Sequence, residues 1–123
     1  MIEIKKVSED ARGNLYILNN DGIQFAHLAT IKAGASRGGH FHKEPEKIII
    51  LDGEVDYFLT DVKSKKEVRG SISEGEAINV KAGIAHLLVA KTDTLLTGII
   101  GKVEPTNYEP YRKVVEEFLA NNK

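Results

Sequence analysis

The feature that most narrows the fold of this chain is the rhythm of its apolar residues, which come in short bursts of alternating pattern separated by turn residues. Alternation sends successive side chains to opposite faces of an extended backbone, so each burst reads as a strand with one face toward a core. Ile2, Ile4 and Val7 share such a pattern, residues 15–18 follow a Gly-Asn turn signal, and Asn19-Asn20-Asp21-Gly22 is the strongest hairpin turn in the chain. Further strand candidates lie at 25–32, 47–51, 54–61, 67–73, 77–81, 85–91 and 95–102. Short strands at this spacing predict an all-β sandwich or barrel.

The period changes near the C-terminus. Tyr111, Val114, Val115, Phe118 and Leu119 recur at three- and four-residue intervals, which predicts a helix over about 107–121, packed outside a barrel that ends near residue 104. Its start has two readings: Thr106 with Glu109 could form a capping box, or Pro110 could mark the first turn. Such a helix reads as a docking or closing element without chemistry. Residues 48–51 are apolar on both alternating faces, so their outer face needs cover from the second sheet, from a second subunit, as in a homodimer, or from the chain's own N-terminus. With 123 residues and no internal repeat, one domain over 1–123 is expected. A domain of this size buries about two-thirds of its unfolded surface without a staple.

Charge and composition exclude more than they assign. With 17 basic and 18 acidic residues the net charge is -1, so no global field favours nucleic acid or an anionic membrane. The absence of cysteine excludes thiolate ligands, a cysteine nucleophile and iron–sulfur clusters. Met1-Ile-Glu-Ile-Lys-Lys alternates as a strand does and reads as neither a signal peptide nor, with the rest of the chain, a membrane span of roughly 20 apolar residues; a cytoplasmic location is the expectation.

Chemistry concentrates between Gly34 and Gly53. His40 and His42 are two residues apart, and on a strand that spacing puts both imidazoles on one face, with Cα atoms roughly 6.5 Å apart. Glu46 follows beyond Pro45, which cannot donate to a ladder and should turn the chain or open a new strand. Farther on, a Lys-Ala-Gly turn leads to His86. Three imidazoles and a carboxylate are a credible set of ligands for one divalent metal, with one or two positions left open. Zinc, iron, manganese, nickel and cobalt all suit such donors. A histidine is also a competent proton carrier near neutral pH, so His40 and His42 are candidate catalytic residues as well as ligands. Arg37 and Lys43 are candidate substrate contacts for an oxyanion or a pyrophosphate. His27 has no partner at ligand spacing and reads as structural or exposed.

The order Gly34, His40, His42, Glu46, Gly53 resembles the first motif of the cupin superfamily, and Gly75, Gly83 and His86 resemble the second, with Lys81 where the family usually has proline and Ala90 where it often has asparagine. The resemblance implies a small cupin β-barrel (a jelly-roll-like double-stranded β-helix) with a C-terminal helix, in which His40, His42, Glu46 and His86 are the metal ligands. A narrower resemblance rests on Asp10-Ala-Arg12-Gly13, on the Arg37-to-Lys43 segment with Glu46, and on the tail at 108–119. These are similar to the cupin enzymes of nucleotide-sugar metabolism, above all the dTDP-sugar 3,4-ketoisomerases. The related 3,5-epimerases would make His40 the proton-abstracting base, and the cupin domain of capsular polysaccharide reductases is similar too.

That resemblance implies an isomerase or epimerase of a sugar nucleotide or related carbohydrate, moving a proton alpha to a ketone through an enediolate-like intermediate. The chain departs from the ketoisomerase pattern at Leu28, Ala29 and Thr30, where those enzymes carry tyrosines, and at Ala85, where they carry an aromatic. Two other classes stand beside it: a metal-dependent dioxygenase-type enzyme, and a non-catalytic module that binds a sugar or another small ligand.

Overall fold

The computed structural model describes residues 1–122. Eleven strands come first: β1 (Ile2–Asp10), β2 (Gly13–Asn20), β3 (Ile23–Ile31), β4 (Ser36–Phe41), β5 (Glu46–Asp52), β6 (Glu54–Asp61), β7 (Glu67–Ser73), β8 (Ala77–Val80), β9 (Ile84–Ala90), β10 (Thr94–Ile99) and β11 (Thr106–Asn107). One helix, α1 (Glu109–Asn121), closes the chain. The strands form two antiparallel sheets, one in the order β1-β2-β3-β10-β5-β8 and the other β11-β4-β9-β6-β7. The predicted Asp21-Gly22 turn closes the β2–β3 hairpin, where Asn20 pairs with Ile23.

Side chains from the two inner faces interdigitate as period-two strands require. Ala29 and Ile31 of β3, Ile48 and Ile50 of β5, Leu96 of β10 and Leu88 and Ala90 of β9 are all buried in one cluster with Val55, Ile72 and Val80. Each fully buried aliphatic chain of this kind contributes about 1.5–3 kcal/mol. The larger hydrophobic side chains among them, not any covalent staple, are what hold the two sheets face to face.

The outer faces of the two sheets differ. Helix α1 lies over β4 and β9, and its Tyr111 and Val115 are buried against Ala85 and Leu87, with Phe41, Phe58 and Leu119 packed alongside. The hydroxyls of Tyr111 and buried Thr60 are hydrogen-bonded beneath it. Val114, placed in the predicted apolar stripe, is instead 41% exposed, because the stripe that docks runs along Tyr111, Val115 and Leu119. The capping box does not form. Thr106 sits in β11, the N-cap is Tyr108 with no side-chain cap, and Pro110 occupies the first turn, where its missing N–H has no partner to lose. Among the described residues no helix is long and apolar enough to cross a membrane.

Among the described residues no helix covers the other sheet. Ile2, Ile4 and Leu51 are exposed at 54%, 63% and 42%. The chain's own N-terminus does not cover β5, as one reading of residues 48–51 allowed: β1 is at the far edge of the same sheet, with β2, β3 and β10 between.

Candidate metal centre

His40 and His86 face each other directly. They are Cα partners on neighbouring strands β4 and β9, and a register shift between Gly38 and His40 re-aims the strand just before the first imidazole. The two glycines there have separate jobs. At Gly38, with φ of 106°, a Cβ would lie 2.5 Å from the carbonyl oxygen of His86; at Gly39, with φ of 83°, it would lie 2.7 Å from the Cα of Arg112 on α1. Side chains at these positions would push β9 away on one face and the helix away on the other. His42 lies just past the end of β4, in the turn before Pro45, and not within a strand as its spacing from His40 led one to expect. It still joins the group. Ring centroids are 4.8 Å apart for His40 and His42, 4.7 Å for His40 and His86, and 5.9 Å for His42 and His86.

Nitrogen ligand atoms of the three histidines all lie within 4.8 Å of one another. Glu46 opens β5 beside them and is 3% exposed. Its Oε1 is 3.5 Å from Nε2 of His42 and 3.8 Å from Nε2 of His86. The other carboxylate oxygen, Oε2, is 3.3 Å from Nε2 of His27 on β3. His27, read from the sequence as structural or exposed with no partner at ligand spacing, thus reaches the cluster through Glu46 without being one of its three grouped histidines. No sequence spacing connects it to Glu46: β10 runs between their strands, and only the sheet order brings the two side chains together.

Electrostatics leave one negative charge beside the neutral rings of His40 and His86. Burial pushes the His40 imidazole down to about 3, assisted by the neighbouring imidazoles of His86 and His42. Burial likewise pushes His86 down to about 4, against the pull of the Glu46 carboxylate. For Glu46 burial acts to raise the pKa, but the neighbouring imidazoles of His42, His86 and His27 outweigh it and hold the carboxyl below its usual range. Neutral imidazoles and an ionised carboxylate are the protonation states a divalent ion requires. The donor set fits a metal on a second ground. Oε1 of Glu46, which faces Nε2 of His42 and of His86, is buried with no hydrogen-bond partner, and a buried polar atom left this way is costly unless something binds it.

The cluster forms the foot of a cavity of about 470 Å³, open to solvent, with Leu15, Ile17, Leu88 and Leu96 on its apolar wall. Three arginines reach it from three elements or their connections: Arg12, Arg37 and Arg112. Arg12 is held by Asp10, with Nη2 2.7 Å from Oδ2 and Nε 3.1 Å from Oδ1, so its charge is largely matched. Arg37 is 9% exposed and has no ion pair among the described residues; its Nε donates to the Thr30 carbonyl at 3.3 Å, and its Nη2 is buried without a partner. Burial and the nearby Arg12 lower it to about 10, which still leaves it charged at neutral pH. Arg112 gives α1 a share in the site that a docking element was not expected to have. Lys43, a candidate substrate contact by sequence, is exposed in the turn after His42 and does not line the cavity.

Known proteins agree with this architecture. No curated protein sequence matches the chain significantly. Among solved structures, a variant of Bacillus subtilis oxalate decarboxylase is similar with a TM-score of 0.71 over 98% of this chain and 38% of that one, at 17% identity. Staphylococcus aureus capsular polysaccharide assembling protein CapF gives 0.67 over 79% of this chain and 28% of that one, at 19% identity. The Drosophila melanogaster CENP-C cupin domain gives 0.65 over 81% of this chain and 76% of that one, at 17% identity. The chain thus spans less than a third of CapF. At such identities the likeness shows the fold alone, and the functions of the three are unrelated. The Cupin family profile, in contrast, matches residues 5–121, nearly the whole length. Two antiparallel sheets enclosing a histidine cluster, together with that match, establish that this chain belongs to the cupin family.

Proposed function

We propose that this protein is a metal-dependent enzyme acting on a small anionic molecule, with isomerisation or epimerisation of a sugar nucleotide or related carbohydrate as the specific activity. The observation that carries the reading is the pairing, in one cavity, of a metal-type cluster at the foot with buried Arg37, which forms no salt bridge among the described residues and whose Nη2 has no acceptor. A phosphate or carboxylate would supply both. His40, His42, His86 and Glu46 would hold the ion. When bound, a divalent metal polarises a substrate oxygen and stabilises charge developing there. The low pKa of His40 supports ligation over proton abstraction for that residue, since a base whose conjugate acid dissociates near 3 has little driving force at neutral pH.

An oxygen-dependent or decarboxylating activity is the second reading. The departures at Leu28, Ala29, Thr30 and Ala85 favour it, because they remove aromatic surfaces that would hold a nucleobase, and oxalate decarboxylase is among the similar folds. Elemental analysis of protein purified without added metal tests the shared part. Stoichiometric zinc, iron, manganese, nickel or cobalt is expected, and its absence even after incubation with each ion would overturn the proposal. Calorimetric titration with dTDP-, UDP- and GDP-sugars and with simple dicarboxylates then separates the two readings.

The uncovered face of the six-stranded sheet supports a homodimer. Strand alternation points Ile4, Leu18, Leu28, Ile49 and Leu51 away from the core, into a patch that a second copy would bury. Light scattering should give twice the monomer mass, and Ile4→Glu combined with Leu51→Glu should return the monomer.

A further inference from the structure

Glu46 divides its two oxygens between different partners, and one of those partners lies outside every motif in the sequence. Oε1 faces the imidazoles of His42 and His86, at 3.5 and 3.8 Å. Oε2 is turned the other way, 3.3 Å from Nε2 of His27. The carboxylate itself is almost wholly buried, whereas the His27 side chain is 26% exposed and also lines the cavity. His27 is not one of the three histidines whose ligand atoms cluster for a metal.

The gap through which they meet is made by a glycine. Gly98 on β10 is the Cα partner of His27 on one side and of Ile48, two residues from Glu46, on the other. A Cβ at that position would sit 2.3 Å from Oε2 of Glu46 and 2.4 Å from Cε1 of the His27 ring. Any side chain there separates the two groups. The sheet thus carries a window in the strand between β3 and β5, and the window serves one contact.

We infer that His27 is a positioning residue for the metal centre: by donating from Nε2 to Oε2 of Glu46 it fixes the carboxylate with Oε1 toward the imidazoles of His42 and His86, which with it would hold the ion, and Gly98 keeps the two in reach. The inference rests on the metal reading above and concerns a residue that reading does not use. Its physical basis is general, since partners that orient a ligating carboxylate are worth about 10–100-fold in metal affinity. A glutamate has three χ angles, and once freed from Oε2's partner the side chain would sample rotamers that carry the carboxylate away from the imidazoles.

Zinc affinity, measured on the full chain by competition with a chromogenic chelator, tests the inference without reference to any substrate. His27→Ala should weaken binding about 10–100-fold. His27→Gln, which keeps a donor of similar reach, should restore most of the loss, and Gly98→Ala should reproduce it with His27 intact. Copper(II) loaded into the same proteins reports the ligands by electron paramagnetic resonance: the nitrogen couplings should be the same in His27→Ala as in the unmodified protein, because the ring orients a ligand and is not one. Unchanged zinc affinity in His27→Ala or in Gly98→Ala overturns the inference and leaves the metal reading standing. Loss of a nitrogen coupling overturns it in favour of His27 as a direct ligand. Failure of the unmodified protein to bind zinc or copper overturns the metal reading and this inference with it. A His27→Gln protein as weak as His27→Ala would show that ring shape alone matters, against a donated hydrogen bond.

Discussion

Follow the inward-facing positions of three strands and the interior divides into two ends built on one pattern. Strand β3 offers His27, Ala29 and Ile31; β5 offers Glu46, Ile48 and Ile50; β9 offers His86, Leu88 and Ala90. At one end all three positions are ionisable, at the other all are aliphatic, and Ala29, Ile48 and Leu88 between them belong both to the core and to the cavity wall. Backbone geometry is the same throughout. What changes is the sign of the free energy of burial: the aliphatic end gains about 25 cal/mol for each Å² removed from water, while the ionisable end loses hydration and leaves three polar atoms unpartnered. The aliphatic end therefore stabilises the fold, and the ionisable end is retained at its expense. That arrangement is expected of a site selected for binding.

Substitutions at the two ends should separate these roles. The largest effect belongs to the ionisable end: His40→Ala should abolish stoichiometric bound metal and any metal-dependent turnover, while metal-free thermal stability stays at or above that of the unmodified protein. A His40→Ala protein that keeps full metal content would break the comparison. At the aliphatic end Ile50→Ala should cost about 2–5 kcal/mol in denaturant titrations while metal stoichiometry per folded molecule stays unchanged. Loss of metal at full stability would show that the two ends are not separable.

Acid tests the ionisable end alone. The folded pKa values of His40 and His86, about 3 and about 4, lie below the unfolded value of 6.5, so the folded state binds fewer protons between those limits. Stability in the metal-free protein should therefore be complete above about pH 6.5 and fall as pH drops toward 4, by on the order of 3 kcal/mol for each of the two imidazoles. Protonation of Glu46, whose pKa is also lowered, acts in the same direction at lower pH. A flat melting temperature across that window would show that the imidazoles are more hydrated than their burial implies. The smallest effect lies on the outer face, where Tyr111→Phe leaves buried Thr60 without its partner under α1 and should cost about 1–2 kcal/mol with no change in metal affinity.

The uncovered and covered sheets also show why a stripe of apolar residues is ambiguous before folding. Val114 and Val115 are adjacent in the predicted helical stripe, yet one is 41% exposed and the other fully buried. Gly39 permits the observed docking side of α1, because a Cβ there would lie 2.7 Å from the Cα of Arg112 and push the helix off. Arg112 is thereby swung to the cavity, which no pattern in the segment announced.

Local chemistry along the chain was enough to determine every strand but β4 and β11, the C-terminal helix and a first motif whose histidines and glutamate are close together in sequence. Alternation and short spacings depend on the backbone of a few residues, and these are visible in a linear reading. Tertiary structure alone decided that His27 faces Glu46 through Gly98, that Lys43 stays outside the cavity, and that Arg112 enters it. Each of those outcomes depends on which strands are neighbours and how closely two elements can approach, and the packing of the whole chain sets both.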